Sequence, residues 1–472
     1  MNFNSFSFLF LFLPITLLIF WMLRKKAKDT LSLWFLSLAS LFFYGISYPE
    51  GIVILIISLL VNYGLIRINT KGALVSGIII DIAVLLVFKY GHFFYPQIGD
   101  SITAPGISFY TFCEVAVLME MYRKNIGVLS PGEYSFLITF FPKMIQGPIV
   151  RPQDMMDSSK VVLKRPDIEA VYRGILLFSI GCFKKVIIAD TLGSAVDYGF
   201  DNLLRMHTLE SIVIMLSYTL QLYFDFSGYC DMGMAIAGFF GIELPLNFNS
   251  PYKARNINDF WKRWHMTLTN FFTRYLYIPL GGNRKGKVRM YINLLLIFLV
   301  SGLWHGAGFT FIVWGMMHGV LYVIHRMYSN KFPVKNGNRL KNAVSVLLTF
   351  LYVNAAWVFF RAPSLKEAFK LFDGIGEMWF PRFNIYLANT FNIDEFWYVI
   401  KVLHLDRFWW GSYILMVLIL VILLLTVFFK KSAIEYSKNC KIGFLSTALI
   451  VVLLVWCILS FNGVATYLYV NF

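Results

Sequence analysis

Long apolar runs alternate with short polar segments along most of the chain. A helix needs about 20 predominantly apolar residues to cross a bilayer. Uncharged runs of roughly that length or longer cover residues 1–23, 30–49, 290–325, 342–360, 408–429 and 442–472. The pattern predicts an all-α polytopic membrane protein with about eleven or twelve spans. Residues 3–23 have no basic region before them and no small-residue cleavage site after them, so we expect a retained first span.

Positive charges collect between these runs and predict how the spans are oriented. Arg24 and Lys25 open a basic first loop, which the positive-inside rule places in the cytoplasm, with the N-terminus outside. Residues 251–290 are also rich in Lys and Arg and are expected to be cytoplasmic. Because basic residues flank the uncharged run 290–325 on both sides, this run should enter the membrane and return as a helical hairpin. Two last spans then leave the C-terminus outside.

Three segments depart from this alternation. Residues 134–150 are apolar but short and contain two prolines, which favours a re-entrant segment. Residues 190–210 are acidic and are expected to form an external linker. In residues 257–275, apolar side chains recur at helical spacing with Lys262 opposite, which predicts an amphipathic helix on the inner membrane surface. His265 is expected at the edge of the apolar face of that helix.

The chain is expected to be one integral membrane domain over residues 1–472. Within it, residues 1–132 hold the N-terminal spans, 133–341 a core with re-entrant and amphipathic segments, and 342–472 the C-terminal spans. No internal repeat is visible in the sequence.

Composition excludes a soluble protein, because 58% of residues are hydrophobic and 14% are charged, against about 25% charged in soluble domains. The net charge of +16 falls mostly between apolar runs, so we attribute it to topology and to anionic membrane lipids, and we expect no nucleic acid. The five cysteines are widely scattered without a Cys-x-x-Cys pair, which indicates neither a disulfide framework nor a metal site.

His305 is the strongest candidate for chemistry among the seven histidines. It lies inside the uncharged run, in the glycine-rich sequence SGLWHGAG of residues 301–308. An ionisable side chain within a span is costly and is a functional candidate by default. Gly302, Gly306 and Gly308 would leave open backbone around the ring, as a substrate cavity would require. The alternative, which we favour for His318, is a neutral ring that only hydrogen-bonds a neighbouring helix.

Asp225 and Asp231 are two further ionisable residues in an apolar segment. They could form a proton or cation path, as in a secondary transporter or a lipid flippase. They could equally hold helices together by pairing with arginines. Absence of inverted repeats argues against the transporter, but composition does not decide between the two roles of the aspartates.

Several ordered segments together resemble one family, the membrane-bound O-acyltransferases (MBOAT), and within it the bacterial alginate and peptidoglycan O-acetylation branch. The segments that carry the resemblance are 105–112 (PGISFYTF), 121–123 (MYR), 141–152 (FPKMIQGPIVRP), 221–232 (QLYFDFSGYCDM), 255–265 (RNINDFWKRWH), 277–284 (YIPLGGNR) and 301–308. The resemblance implies a ring of tilted helices around a central tunnel, with a cytoplasmic funnel for the acyl donor. It also implies that His305 is the catalytic histidine and that His265 is a second, less strict polar position.

The resemblance extends to the last residues of the chain. Residues 467–472 (YLYVNF) are similar to the aromatic tail of the acetylating branch, and Tyr469 matches the tail tyrosine. Tyr469 could carry the acyl group as a relay, or it could be an aromatic anchor at the membrane interface.

The implied activity is transfer of acetyl from a cytoplasmic thioester, expected to be acetyl-CoA, onto an extracytoplasmic polysaccharide. No bound cofactor is expected. The cytoplasmic cations Arg284, Lys285, Lys287 and Arg289 could attract the phosphates of the donor, or they could be a solvated topogenic cluster. Because no soluble catalytic domain lies in the chain, the resemblance implies an extracytoplasmic partner similar to SGNH hydrolases. The protein itself is expected to lie in the cytoplasmic membrane of a bacterium. A transporter remains the alternative class, and a non-catalytic scaffold would leave the sequence around His305 unexplained.

Overall fold

The computed structural model describes residues 1–25, 29–94, 104–155, 165–332, 338–393, 401–402, 404 and 410–461. Within these residues the regular structure is helical, and no strand occurs. The α-helices are α1 Leu13–Lys25, α2 Asp29–Ser47, α3 Pro49–Ile68, α4 Lys71–Phe94, α5 Ile107–Tyr122, α6 Pro131–Thr139, α7 Phe141–Met144, α8 Ile168–Phe183, α9 Asp190–Asp201, α10 Thr208–Phe239, α11 Ile257–Trp261, α12 Met266–Phe272, α13 Lys287–His305, α14 Phe309–Lys331, α15 Arg339–Arg361, α16 Leu365–Gly376, α17 Ile385–Asn389, α18 Gly411–Phe429, α19 Ala433–Asn439 and α20 Phe444–Leu459.

Seven helical segments in the described part of the chain are long and apolar enough to cross a membrane. They are Phe8–Lys25, Thr30–Ser47, Pro49–Ile68, Lys71–Gly91, Lys287–His305, Arg339–Arg361 and Gly411–Phe429. Each leaves many large apolar side chains exposed, as helices do when lipid rather than protein covers one face. The prediction of an all-α polytopic membrane protein is confirmed. The count of eleven or twelve spans stays a prediction.

A second set of helices lies inside the protein. α5 and α10 are buried along most of their length, and α8 packs against α10. The close packing of α8 and α10 depends on Gly181 and Gly228. A Cβ atom on either glycine would lie 2.8 Å from the backbone oxygen of the other, which is too close for any side chain. The two backbones therefore meet directly in the protein interior.

Contacts between helix termini show which ends lie together. Trp21 near the end of α1 donates to the carbonyl of Phe239 at the end of α10 (3.1 Å). Lys253 donates to the carbonyl of Lys430, just beyond α18 (2.5 Å). We call this the basic end, because Lys25 and the first residues of α13 and α15 also carry its positive charges. At the opposite end, where α15 and α9 finish, Arg361 pairs with Asp197 (2.7 Å).

The predicted re-entrant segment is a broken structure inside the protein. α6 begins with a capping box between Ser130 and Glu133 and ends before Pro142, where α7 adds a single turn. Residues 140–150 are buried throughout. Irregular backbone at membrane depth is tolerated when protein covers it, as protein does here. The re-entrant path of this segment stays a prediction.

Two sequence predictions are wrong. Residues 190–210 do not form a linker: a π-helical turn Lys184–Ala189 joins α8 to α9 without a break, and a 3₁₀ turn follows. Residues 257–275 do not form one surface helix. They break between α11 and α12 at His265, which has a positive φ of 43°, and their apolar side chains pack against other helices rather than on a membrane surface.

Candidate active site

α13 and α14 form the predicted hairpin, and the hairpin places His305. The turn covers residues 306–308, so His305 is the last residue of α13. A Cβ on Gly302 would lie 2.4 Å from the carbonyl oxygen of Phe311, and one on Gly306 would lie 2.2 Å from the ring of Phe311. The expectation that these two glycines open space around the imidazole is therefore wrong. They let the two arms of the hairpin pack closely, and the break in the helix comes from the extended Gly306.

Aromatic rings surround His305, which is 2% exposed. Its ring centroid lies 4.6 Å from that of Trp304, 5.0 Å from that of Trp314 and 4.9 Å from that of Phe360. Such walls keep water away and hold the ring in one orientation. Phe360 precedes Arg361, so His305 lies toward the end of the molecule opposite the basic end. The 19 residues of α13 separate it from Lys287 by about 27 Å.

His265 is buried rather than placed at the edge of a surface helix. It is 1% exposed and has left-handed backbone geometry at the start of α12. Its Nδ1 lies 3.0 Å from Oδ1 of Asn247. That oxygen also accepts from the backbone N–H (3.3 Å) and the hydroxyl (2.9 Å) of Thr267. Because a backbone N–H can only donate, the amide oxygen faces this cluster and His265 Nδ1 carries a proton. A neutral ring then has its basic lone pair on Nε2.

Trp304 lies between the two histidines. Its centroid is 6.4 Å from that of His265 and 4.6 Å from that of His305, and its ring stacks on Phe112 at 5.3 Å. The structure thus brings together the two histidines that the resemblance identifies. The motif at 301–308 contains Trp304, but nothing in the sequence signals that it lies between the rings. Asn247 also carries no sequence signal, since it precedes His265 by 18 residues in an irregular segment.

A cavity of about 260 Å³ approaches this site from the basic end. That volume is near the lower limit of ordinary ligand pockets. Asn283 and Tyr277 line it near the loop before α13, and Ser301 lines its inner end. Ser301 precedes His305 by about one helical turn. The mouth of the cavity also contains Lys262 and Arg326, two cations that the sequence analysis did not assign to a donor site.

Several polar atoms in the cavity wall are suited to a polar ligand. Within the described part of the chain, Asn258 Oδ1, Trp261 Nε1 and Arg326 Nε are buried and have no hydrogen-bond partner. Tyr277 donates to Asn283 Oδ1. Burial raises the pKa of the Tyr277 phenol, which keeps it neutral.

The four cations named as donor-binding candidates have a different place. Arg284, Lys285, Lys287 and Arg289 are exposed on the loop and first turn of α13, and none of them lines the cavity. The sequence could locate the basic loop, but it could not show that Lys262 and Arg326, from two other segments, face the cavity.

Asp225 and Asp231 belong to a separate cluster of buried ion pairs. Lys184 lies 2.6 Å from Asp231, and Lys185 lies 2.8 Å from Asp225 and 2.7 Å from Asp190. We call these five residues the lysine–aspartate cluster. Their partners are lysines of the π-helical turn rather than the arginines suggested above. This pairing between α10 and the segment after α8 favours the structural role of both aspartates.

The remaining candidates are quickly placed. Tyr469 lies outside the described residues. His318 is fully buried within α14, among Trp261, Trp314 and Trp357, and neither ring nitrogen has a hydrogen-bond partner in the described part of the chain. Among the described residues, no group of three or more His, Cys, Asp or Glu could hold a metal ion.

Known proteins similar to this chain share one chemistry. A peptidoglycan O-acetyltransferase of Helicobacter pylori is 39% identical over 423 residues, which cover 79% of each chain. A probable alginate O-acetylase AlgI of Pseudomonas aeruginosa is 34% identical over 399 residues, covering 79% of this chain and 75% of that protein. A teichoic acid D-alanyltransferase of Bacillus subtilis is 30% identical over 260 residues, covering 52% of this chain and 66% of that protein.

The family profile matches residues 8–365, a range that includes the hairpin, both histidines and the cavity. Because the match covers most of the chain, the resemblance of the separate motifs extends to the whole membrane core. The chain belongs to the membrane-bound O-acyltransferase (MBOAT) family and is an O-acyltransferase.

Proposed function

We propose that this protein moves acetyl from a cytoplasmic thioester, acetyl-CoA, across the membrane for O-acetylation of an extracytoplasmic polysaccharide. The observation that carries the proposal is the cavity, which runs from the basic end to within one turn of His305. The positive-inside rule places the basic end in the cytoplasm, where acetyl-CoA is found. The names of the similar proteins support acetyl and a polysaccharide such as peptidoglycan or alginate.

His305 is the general base in this proposal. It removes the proton from an attacking hydroxyl, whose oxygen then adds to the thioester carbonyl carbon. The carbon–sulfur bond breaks, and the leaving thiolate takes the proton from the imidazolium, which gives an ester and free coenzyme A. A histidine ring suits both steps because its unperturbed pKa is near neutrality. Lys262 and Arg326 at the mouth attract the phosphates of the donor, while the exposed cations Arg284, Lys285, Lys287 and Arg289 serve topology.

The acceptor lies on the other side of the membrane, which raises the question of how acetyl leaves the site. We propose that the Tyr469 hydroxyl takes the acetyl as a phenyl ester and passes it to a serine of an SGNH-hydrolase-like partner. Phenolate is a good leaving group, because the phenol has a pKa near 10. The second transfer restores the phenol proton and leaves an ester on the partner.

Membrane vesicles of defined orientation test the donor and its side. Labelled acetyl-CoA is added to sealed inside-out and right-side-out vesicles that contain the protein, its partner and wall polysaccharide. Acetylation in inside-out vesicles only is expected. Equal labelling in both orientations would contradict a cytoplasmic donor.

Two further measurements test the acceptor and the relay. Mass spectrometry of O-acetyl groups on peptidoglycan and exopolysaccharide, with and without the protein, identifies the acceptor. The Tyr469→Phe variant keeps the aromatic anchor and removes the hydroxyl. Loss of acetylation in this variant, with acetyl-Tyr469 trapped in the wild type when the partner is absent, supports the relay, whereas full activity in the variant rules it out.

A further inference from the structure

The last turn of α13, which carries His305, is held from a neighbouring span. The final carbonyl groups of a helix have no partner within the helix itself. Here the chain leaves the helix through the extended Gly306. At membrane depth, where lipid or protein replaces water, carbonyls without a partner would cost free energy, so something outside α13 must satisfy them.

Two consecutive side chains of α4 provide that partner. The hydroxyl of Tyr90 donates to the carbonyl of Leu303 and lies 3.4 Å from the carbonyl of Gly306. The ammonium of Lys89 donates to the carbonyl of Trp304. The carbonyls on both sides of His305 in the chain are therefore tied to α4.

Lys89 also contacts the ring that lies between the two histidines. Its Nζ is 5.1 Å from the centroid of Trp304, in cation–π geometry. A positive charge at a helix C-terminus is favourable, because the carbonyl dipoles point toward it. Lys89 lies near the end of the span Lys71–Gly91. An ionisable side chain within a span is otherwise costly, and these contacts account for its position.

We propose that Lys89 and Tyr90 are positioning residues for the reaction: they clamp the last turn of α13 and thereby fix His305 and Trp304 relative to the acyl group. The proposal rests on the function proposed above. We call the pair the Lys89–Tyr90 clamp. The clamp contributes to the rate by fixing the geometry of the site. A displacement of about 1 Å at a reacting group can lower a rate roughly a hundredfold.

Substitution of the clamp tests the proposal. Lys89→Met keeps the length of the apolar stem and removes the donor and the charge, and Tyr90→Phe removes only the hydroxyl. We expect kcat for thiol release from acetyl-CoA to fall about tenfold or more in Lys89→Met and less in Tyr90→Phe, with KM for acetyl-CoA unchanged. Lys89→Arg, which retains donor and charge, should recover most of kcat.

Two control variants lie on α4 itself and on the neighbouring α3. Lys71→Met makes the same change at the exposed start of α4, and Tyr63→Phe removes a hydroxyl of α3 that lies 3.5 Å from the carbonyl of Leu129. Both should keep the wild-type kcat. Wild-type kcat in Lys89→Met, or a rise in KM alone, would overturn the proposal, as would a kcat loss in Lys71→Met as large as that in Lys89→Met.

A second measurement does not depend on the donor. In Lys89→Met, amides of residues 301–308 should exchange with solvent deuterium about tenfold faster, while the melting temperature stays near the wild-type value. Unchanged exchange would overturn the clamp. Failure of the proposed function appears differently, as a wild-type protein that releases no thiol from acetyl-CoA, and the exchange experiment still decides the clamp in that case.

Discussion

The lysine–aspartate cluster and the two histidines of the candidate site are both buried groups of ionisable side chains, but their surroundings differ. In the cluster, Asp225 and Asp231 each lie within 2.8 Å of a lysine nitrogen. At the site, His305 and His265 are neighbours of aromatic rings and of one amide. The hydrophobicity pattern alone marks Asp225, Asp231 and His305 equally as intramembrane candidates.

The difference lies in what each group has available for a reaction. A carboxylate paired with an ammonium has its charge balanced, and separating the pair costs several kcal/mol. A neutral imidazole has a lone pair and a proton and can exchange both without leaving an uncompensated charge behind. The partners of a buried ionisable residue therefore say more about its role than its depth in the membrane does.

The variant expected to have the largest effect is His305→Gln. Glutamine can hydrogen-bond but cannot act as a base near neutral pH, so acetyl transfer should fall at least a hundredfold, in the range of general-base contributions. O-acetyl groups on the polysaccharide, measured by mass spectrometry, report the loss. His318→Gln is the matched control in the same hairpin and should stay within about threefold of wild type. Equal loss in both variants would show that packing, not base chemistry, explains the effect.

The lysine–aspartate cluster should respond in stability rather than in activity. Asp231→Asn leaves Lys184 buried without its carboxylate and should lower the free energy of unfolding by about 3–5 kcal/mol. The double variant Lys184→Met/Asp231→Leu removes both charges and should recover most of that loss. Thermal unfolding in detergent measures the loss of stability. Acetyl transfer per folded protein should be unchanged. A loss of activity in a fully folded double variant would show that Asp231 takes part in the reaction.

His265→Asn should have an intermediate effect. Asparagine tolerates the left-handed backbone at this position and can still donate to Asn247, but it has no basic nitrogen. We expect kcat to fall roughly tenfold, less than for His305→Gln. A loss as large as that of His305→Gln would indicate that the two histidines act as a coupled pair.

The smallest effect is expected at the mouth of the cavity. Lys262→Gln should raise KM for acetyl-CoA up to about fivefold, the size of one exposed charge interaction, with kcat unchanged. Arg326→Gln, at a half-buried cation, should raise KM at least as much. Arg284→Gln and Lys285→Gln, which change exposed cations outside the cavity, are the controls and should leave KM unaltered. A rise in KM only in the two control variants would show that the donor phosphates bind the basic loop before α13 instead.

The sequence predicted the fold correctly where the local pattern of apolar and charged residues shows whether a side chain faces lipid or water. Apolar runs bounded by charge predicted the outer spans and the hairpin, and the motif at 301–308 identified His305. The prediction for residues 257–275 was wrong, because an apolar helix face has the same periodicity whether it packs against protein or against lipid. The prediction for residues 190–210 was also wrong, since acidic residues suggested a linker although Asp190 is an ion-pair partner in a continuous helix. The partners Asn247 and Lys185 depend on tertiary contacts that no local pattern encodes.

The lysine–aspartate cluster also has a consequence for how the protein enters the membrane. Neither α8 nor α10 is among the helices that are long and apolar enough to span on their own. Each isolated lysine or aspartate near the middle of a span adds about 3 kcal/mol to the cost of insertion. In the folded protein Gly181 and Gly228 bring the two backbones together, and the lysines pair with the aspartates rather than facing lipid. These two segments should therefore enter the bilayer as a preassembled pair, shielded by the more apolar helices inserted earlier during synthesis.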